Sequence, residues 1–168
     1  MTGEEPVSVP GVQVELSDAN ALRSLVGAAP LTSGWVDIDQ TRVDMFANAT
    51  GDHQWIHVDP ERAARESPFG GAVAHGFLTL SLIPGLLATT IAMRQRMGVN
   101  YGLNRVRFTA PVRVGSRVRA HFQVESVTDV NPGGVQVLWT VTLEAEAVAA
   151  SGGDKLVCVA EFITRHYF

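Results

Sequence analysis

The apolar positions of this chain change their grouping once, near residue 100. Before that point they fall into helical or irregular clusters, and after it they form four strand-like runs. Residues 1–16 carry two prolines and no clear period, so a poorly ordered or loosely packed tail is expected. Ser17-Asp18 offers an N-cap for a short helix through about Val26, stopped by Gly27 and Pro30. Trp35 to Ile38 alternates like a brief strand. Asp39 can then cap a helix from Gln40 whose stripe is Val43, Phe46 and Ala47, which delivers the chain to Gly51-Asp52. Pro60 opens a further short helix through Arg65. The most apolar stretch, His75 to about Met97, places Gly76, Phe77, Leu78, Leu80, Leu82, Ile83, Leu86 and Leu87 all round a helix, the pattern of one surrounded by protein. Pro84-Gly85 is expected to bend or break it.

The strand-like runs are Tyr101 to Thr109, Val114 to Thr128, Val135 to Ala147 and Leu156 to Tyr167. Pro111 with Gly115, Asn131-Pro132-Gly133-Gly134 and Ser151-Gly152-Gly153-Asp154 separate them with turn-forming residues. Short connections imply antiparallel neighbours. The expected class is α+β, a curved antiparallel sheet wrapped around one central buried helix, in a single domain over 17–168.

Composition narrows the function. The 168 residues, 46% hydrophobic, suit one domain with a sizeable core. The longest apolar stretch, Gly76 to Met93, is interrupted by Thr79, Ser81, Pro84, Thr89 and Thr90, short of the roughly 20 residues of a membrane helix. Met1 to Gly11 is acidic and lacks the basic start and apolar core of a signal peptide, so a cytoplasmic location is expected. A net charge of −4 gives no general electrostatic reason to bind nucleic acid or an anionic membrane. The single cysteine, Cys158, excludes an internal disulfide and a multi-cysteine metal site, and its valine flanks suggest a buried strand position.

The densest chemistry lies in Ala49-Thr50-Gly51-Asp52-His53-Gln54-Trp55-Ile56-His57. Asp52 and His57 sit five positions apart, which a strand would spread over roughly 16 Å and a regular helix would point apart. Joint action therefore requires a curled loop, for which Gly51 and Pro60 supply the punctuation. Such a loop would let a carboxylate and an imidazole hold one water as a general acid–base pair. The bland alternative is an Asp capping a turn and a His packed on Trp55. Ala74-His75-Gly76 opens the apolar helix, where free amides could receive a developing anion and Gly76 has no side chain to obstruct a carbonyl. Hydration of a conjugated double bond and ester hydrolysis both pass through such an oxyanion, and the residue types leave the two open.

FANATGDHQWIHVDPERA at Phe46 to Ala63, with GGAVAHGFLTLSL at Gly70 to Leu82, resembles the hydratase motif of the MaoC-like dehydratases, the (R)-specific enoyl-CoA hydratases. The resemblance covers roughly residues 34 to 168. It implies a hot-dog fold, usually as a homodimer, with Asp52 and His57 as the catalytic pair and the Gly76 amide facing the thioester oxygen. The implied reaction is reversible syn hydration of a trans-2-enoyl-CoA to an (R)-3-hydroxyacyl-CoA. No cofactor is implied, coenzyme A being part of the substrate. Gln54-Trp55 stands where many members have Asn-Pro, a form similar to the single-domain branch of nodulation protein N, and Pro84 stands where some hydratases carry a serine.

Two other readings accompany this one. A hot-dog acyl-CoA thioesterase often has a carboxylate on the central helix, and His75 to Met97 contains neither Asp nor Glu. A non-catalytic acyl-CoA-binding partner subunit is the other, against which the intact Asp–His pair counts. His53 and His75 could join Asp52 or His57 around a metal, but the loop punctuation spoils the helical spacing and no metal is expected. His75 itself suits a structural hydrogen bond. Arg105, Arg107, Arg113, Arg117 and Arg119 crowd two strands, as a solvated face or as partners for coenzyme A phosphates. A homodimer joined at sheet edges would hide exposed strands.

Overall fold

A computed structural model describes residues 12–146 and 154–168. Its core is read most simply from the strand of Trp139, where buried residues recur at every second position: Val135, Val137, Trp139, Val141 and Leu143. The chain runs β1 (Val14–Leu16), α1 (Ala19–Arg23), β2 (Leu31–Thr32), β3 (Val36–Ile38), α2 (Gln40–Thr50), α3 (Trp55–Val58), α4 (Pro60–Glu66), α5 (Gly76–Ser81), α6 (Ile83–Thr90) and β4 (Ile91–Met93). The long strands β5 (Met97–Phe108), β6 (Ser116–Val130), β7 (Gly134–Ala145) and β8 (Lys155–Tyr167) follow. The inward faces of β6, β7 and β8 bury Phe122, Trp139 and Phe162 in one apolar cluster with Leu78, Ile83, Leu86 and Leu87 of α5 and α6. Phe122 and Trp139 meet edge to face, with ring centroids 6.4 Å apart.

The α+β class and the four long antiparallel strands agree with the sequence reading, although Ala147 and the turn residues 151–153 lie outside the described residues. Three points differ. Sheet order is β2-β6-β7-β8-β5, so β5 and β6 are not neighbours despite the short connection between them. The chain crosses from one margin to the other over 109–115, and β5 pairs with β8 instead. Length alone cannot distinguish a hairpin from this crossing.

The tail expected over 1–16 instead ends in a strand. Residues 1–11 lie outside the described residues, but Val14–Leu16 forms a strand parallel to Ile91–Met93. That pairing also ends the helix expected to reach Met97, because Ile91 is extended where a helix would continue.

The central helix is two short helices meeting at Leu82, not one bent at Pro84. Pro84 sits in the first turn of α6, where its missing N–H is needed least. Nor is the segment covered all round: Phe77 is 70% exposed. Within this chain the helices have a buried face toward the sheet and an open face carrying Phe77.

Candidate active site

Three local devices bring the sequence motif into shape. Asp39 caps α2 by accepting the Arg42 N–H at 2.8 Å, and α2 ends at Gly51, whose φ of 79° is the left-handed turn that glycine adopts freely. Asp59 then caps α4 on the Arg62 N–H, with Pro60 in its first turn. Between these stops, α3 is a four-residue helical turn carrying Trp55 and His57. The curl expected between Asp52 and His57 is therefore a left-handed stop followed by one turn of helix.

Segment 72–74 locks that turn from below. Val73 donates its N–H to the Ile56 carbonyl at 3.0 Å and accepts from His57 Nδ1 at 2.6 Å. Ala74 N–H in turn bonds Val112 O, and Val114 N–H bonds Ala72 O, tying the segment to the crossover connection. Gln40 Nε2 donates to the His57 carbonyl at 2.7 Å and to Asp44 Oδ1 at 2.8 Å. Neither Gln40 nor Val73 was singled out by the sequence, since one acts on main chain and the other through it.

These contacts set the protonation of His57. A carbonyl only accepts, so Nδ1 carries the proton and the neutral ring has its lone pair on Nε2. The ring is buried, and burial outweighs the Val73 bond to push its pKa below the usual 6.5, with His75 lowering it further and Asp52 opposing. His57 is thus a neutral base at physiological pH.

Asp52, His57 and His75 offer one ligand-type atom each within 4.8 Å of one another. Asp52 is exposed, whereas both imidazoles are buried. His75 Nε2 donates to the Asp52 main-chain oxygen at 2.9 Å, and its ring stacks on His57 with centroids 3.8 Å apart. The structural hydrogen bond expected of His75 is this one. Among the described residues these three are the group able to hold a metal ion, but an interplanar angle of 27° keeps the imidazole lone pairs in nearly parallel layers. That is a poor arrangement for sharing one ion. His53 is exposed and outside the group.

Asp52 borders an apolar cavity of about 580 Å³ whose wall includes Phe46, Phe77, Leu80, Pro84, Leu103 and Phe162. Ser81 lies on the same wall beside Pro84, its hydroxyl donating to Leu78 O at 2.7 Å. Gly76 instead lines a second cavity of about 330 Å³ with Phe108 and Ala110. The Phe108 ring lies 3.0 Å from where a Gly76 Cβ would stand, so any larger residue there would have to displace that ring.

The arginines do not form one cluster, because β5 and β6 lie on opposite sides of the sheet. Arg117 pairs with Glu146 and Arg119 with Glu144, and both guanidinium groups lie over Trp35. Arg113 donates to Gly70 O at 2.6 Å. Arg105 lies 3.8 Å from Glu161 Oε1 and Arg107 donates to Val106 O at 2.7 Å, so all five have partners within the chain.

Residues 22–148 match the MaoC like domain. The chain belongs to the MaoC-like dehydratase family. This MaoC-like chain is 52% identical over 135 residues to 3-hydroxyacyl-thioester dehydratase Z of Mycobacterium tuberculosis, covering 80% of this chain and 85% of that protein. It is 48% identical over 136 residues to nodulation protein N of Rhizobium meliloti, covering 80% and 83% respectively. Its fold is that of the (R)-hydratase from A. caviae, with a TM-score of 0.64 at 24% identity over 81% of this chain and 94% of that one. The MaoC-like resemblance and the hot-dog fold are thereby borne out. The dehydratase relatives class this MaoC-like protein as an enzyme of the hydro-lyase type, a hydratase/dehydratase. Among the described residues no helix is long and apolar enough to cross a membrane.

Proposed function

We propose that the protein catalyses reversible hydration of trans-2-enoyl-CoA to (R)-3-hydroxyacyl-CoA, with Asp52 and His57 holding the water. The observation that carries this reading is the His57 bond to Val73, which leaves Nε2 as a proton acceptor close to a carboxylate. In the hydration direction His57 Nε2 takes one water proton while Asp52 accepts the other hydrogen in a hydrogen bond. The water oxygen bonds to the β-carbon, and the π electrons move through the α-carbon to the thioester oxygen as an enolate. The Gly76 amide, at the start of a helix where N–H groups lack internal partners, is assigned to that oxygen. Collapse of the enolate takes the proton from His57 to the α-carbon on the face of water addition, which gives syn stereochemistry. The reverse sequence is dehydration.

A thioester substrate is supported by the dehydratase relative from Mycobacterium tuberculosis, and an acyl chain suits the apolar cavity beside Asp52. The reading uses no metal and no cofactor, with coenzyme A as part of the substrate. A homodimer is supported by β5, an edge strand that leaves Met97, Val99, Tyr101, Leu103 and Phe108 exposed.

Loss of the conjugated enoyl band of crotonyl-CoA tests the reaction, with wild type compared against Asp52→Asn and His57→Gln. Wild-type loss without thiol release, abolished in both variants, is the expected result. Thiol release would indicate thioesterase chemistry instead. A folded wild-type protein that consumes neither crotonyl-CoA nor a longer enoyl-CoA would overturn the reading in favour of acyl-CoA binding without turnover.

A further inference from the structure

We propose that His75 is a positioning residue of this site, holding Asp52 in reach of His57 through its bond to the Asp52 main chain and its ring stack. The inference rests on the reading of Asp52 and His57 as the water-holding pair.

Asp52 has little else to fix it. It follows Gly51, where the chain leaves α2 through a left-handed turn. Its own N–H reaches Thr50 Oγ1 at 3.4 Å, and its carboxylate receives the Gln54 N–H at 3.5 Å, both long for such bonds. The 2.9 Å bond from His75 Nε2 is the short one. Without it the acid would hang on a glycine hinge.

His75 is well placed to act as the fixed end of this contact. It is 2% exposed and caps α5, its carbonyl accepting the Thr79 N–H at 3.1 Å. Its ring lies between Phe46, with centroids 5.1 Å apart, and His57, 3.8 Å away. One imidazole therefore touches the main chain of the acid and the face of the base.

The other nitrogen makes the assignment specific. Since the Asp52 carbonyl accepts, Nε2 carries the proton and Nδ1 is a bare acceptor. Nδ1 is buried and has no hydrogen-bond partner among the described residues. A ring serving only to fill space would be better replaced by an apolar one, because a buried unmet acceptor destabilises the fold. The donor on Nε2 explains why an imidazole stands here.

Two variants separate ring from donor. His75→Phe keeps a buried ring against His57 and removes the donor; His75→Gln removes the ring and keeps an N–H able to reach Asp52. With crotonyl-CoA, His75→Phe is expected to lower kcat about 10- to 100-fold with KM within about two-fold of wild type, as displacement of one reacting group predicts. His75→Gln is expected to recover most of that loss. Thermal melts check that each variant folds. His75→Gln against His75→Met, similar in length and flexibility, repeats the donor comparison if phenylalanine is not accommodated.

A folded His75→Phe with wild-type kcat would overturn the proposal, as would a loss confined to KM or a His75→Gln no better than the variant lacking a donor. Asp52→Asn and His57→Gln report on the underlying reading. Turnover surviving in those two would defeat that reading, whereas their inactivity beside a fully active His75→Phe defeats only the role of His75.

Discussion

His57 gives its Nδ1 proton to the carbonyl of Val73, 2.6 Å away, and that bond decides which nitrogen is left to act as a base. Burial lowers the pKa of the same ring below the usual 6.5. A base works in its neutral form, so hydration activity is expected to stay level through neutral pH and fall only below pH 6.5. The acid limb of a kcat/KM profile for an enoyl-CoA measures this directly. A limb centred above the ordinary histidine value would contradict the assigned base.

A Cβ added at Gly76 would stand 3.0 Å from ring carbons of Phe108, so the ring must shift by a few tenths of an ångström to admit one. Gly76→Ala is expected to destabilise the fold by roughly 1–3 kcal/mol through overpacking. Combining it with Phe108→Leu should restore much of the melting temperature. If activity returns with stability, packing is the reason for glycine; if activity stays low, the approach of substrate to the Gly76 amide requires it as well.

A third buried histidine, His166, gives a stability prediction away from the site. Trp139 Nε1 donates to Thr164 Oγ1, which donates to His166 Nε2, and His166 Nδ1 donates to Gln95 Oε1, with all three distances between 2.6 and 2.7 Å. Burial lowers the pKa of His166 from 6.5 to about 4. The unfolded chain then binds the proton more tightly, so stability is complete above pH 6.5 and is lost as pH falls toward about 4. The full loss is roughly 3 kcal/mol, readable from denaturant midpoints across that range. Thr164→Val, which leaves the Trp139 N–H unmet, is expected to cost about 1–3 kcal/mol at neutral pH.

Leu103, 42% exposed on the edge strand β5, tests the proposed homodimer. Leu103→Lys places a charge on that margin and is expected to shift the protein from dimer to monomer in light scattering. An unchanged mass would move the interface elsewhere. A monomer in wild type would remove it.

Much of the fold was legible because its signals are local. Alternation marks the buried faces of β6 to β8, Asp39 and Pro60 open the helices that bracket the loop, and Gly51 turns the chain between them. Asp52 and His57 stood out for the same reason: an acid and imidazoles crowd a few residues beside a glycine. What misled the pattern was non-local. The apolar run from His75 reads as one helix until Ile91–Met93 finds Val14–Leu16 as a strand partner. The short link after β5 reads as a hairpin until β8 takes that edge.

By itself, then, the sequence determined the family, the antiparallel α+β class and the two side chains on which the chemistry is proposed to turn, since periodicity, caps and motif spacing act over a few residues. Only the tertiary structure decided how those side chains are held. The proton on His57 goes to a carbonyl sixteen residues along, and Asp52 hangs from an imidazole twenty-three residues along. Main-chain acceptors are the same at every residue and leave no trace in residue identity. Which of them a histidine meets is settled by packing, where burial makes the bond necessary and the neighbouring segments allow one geometry.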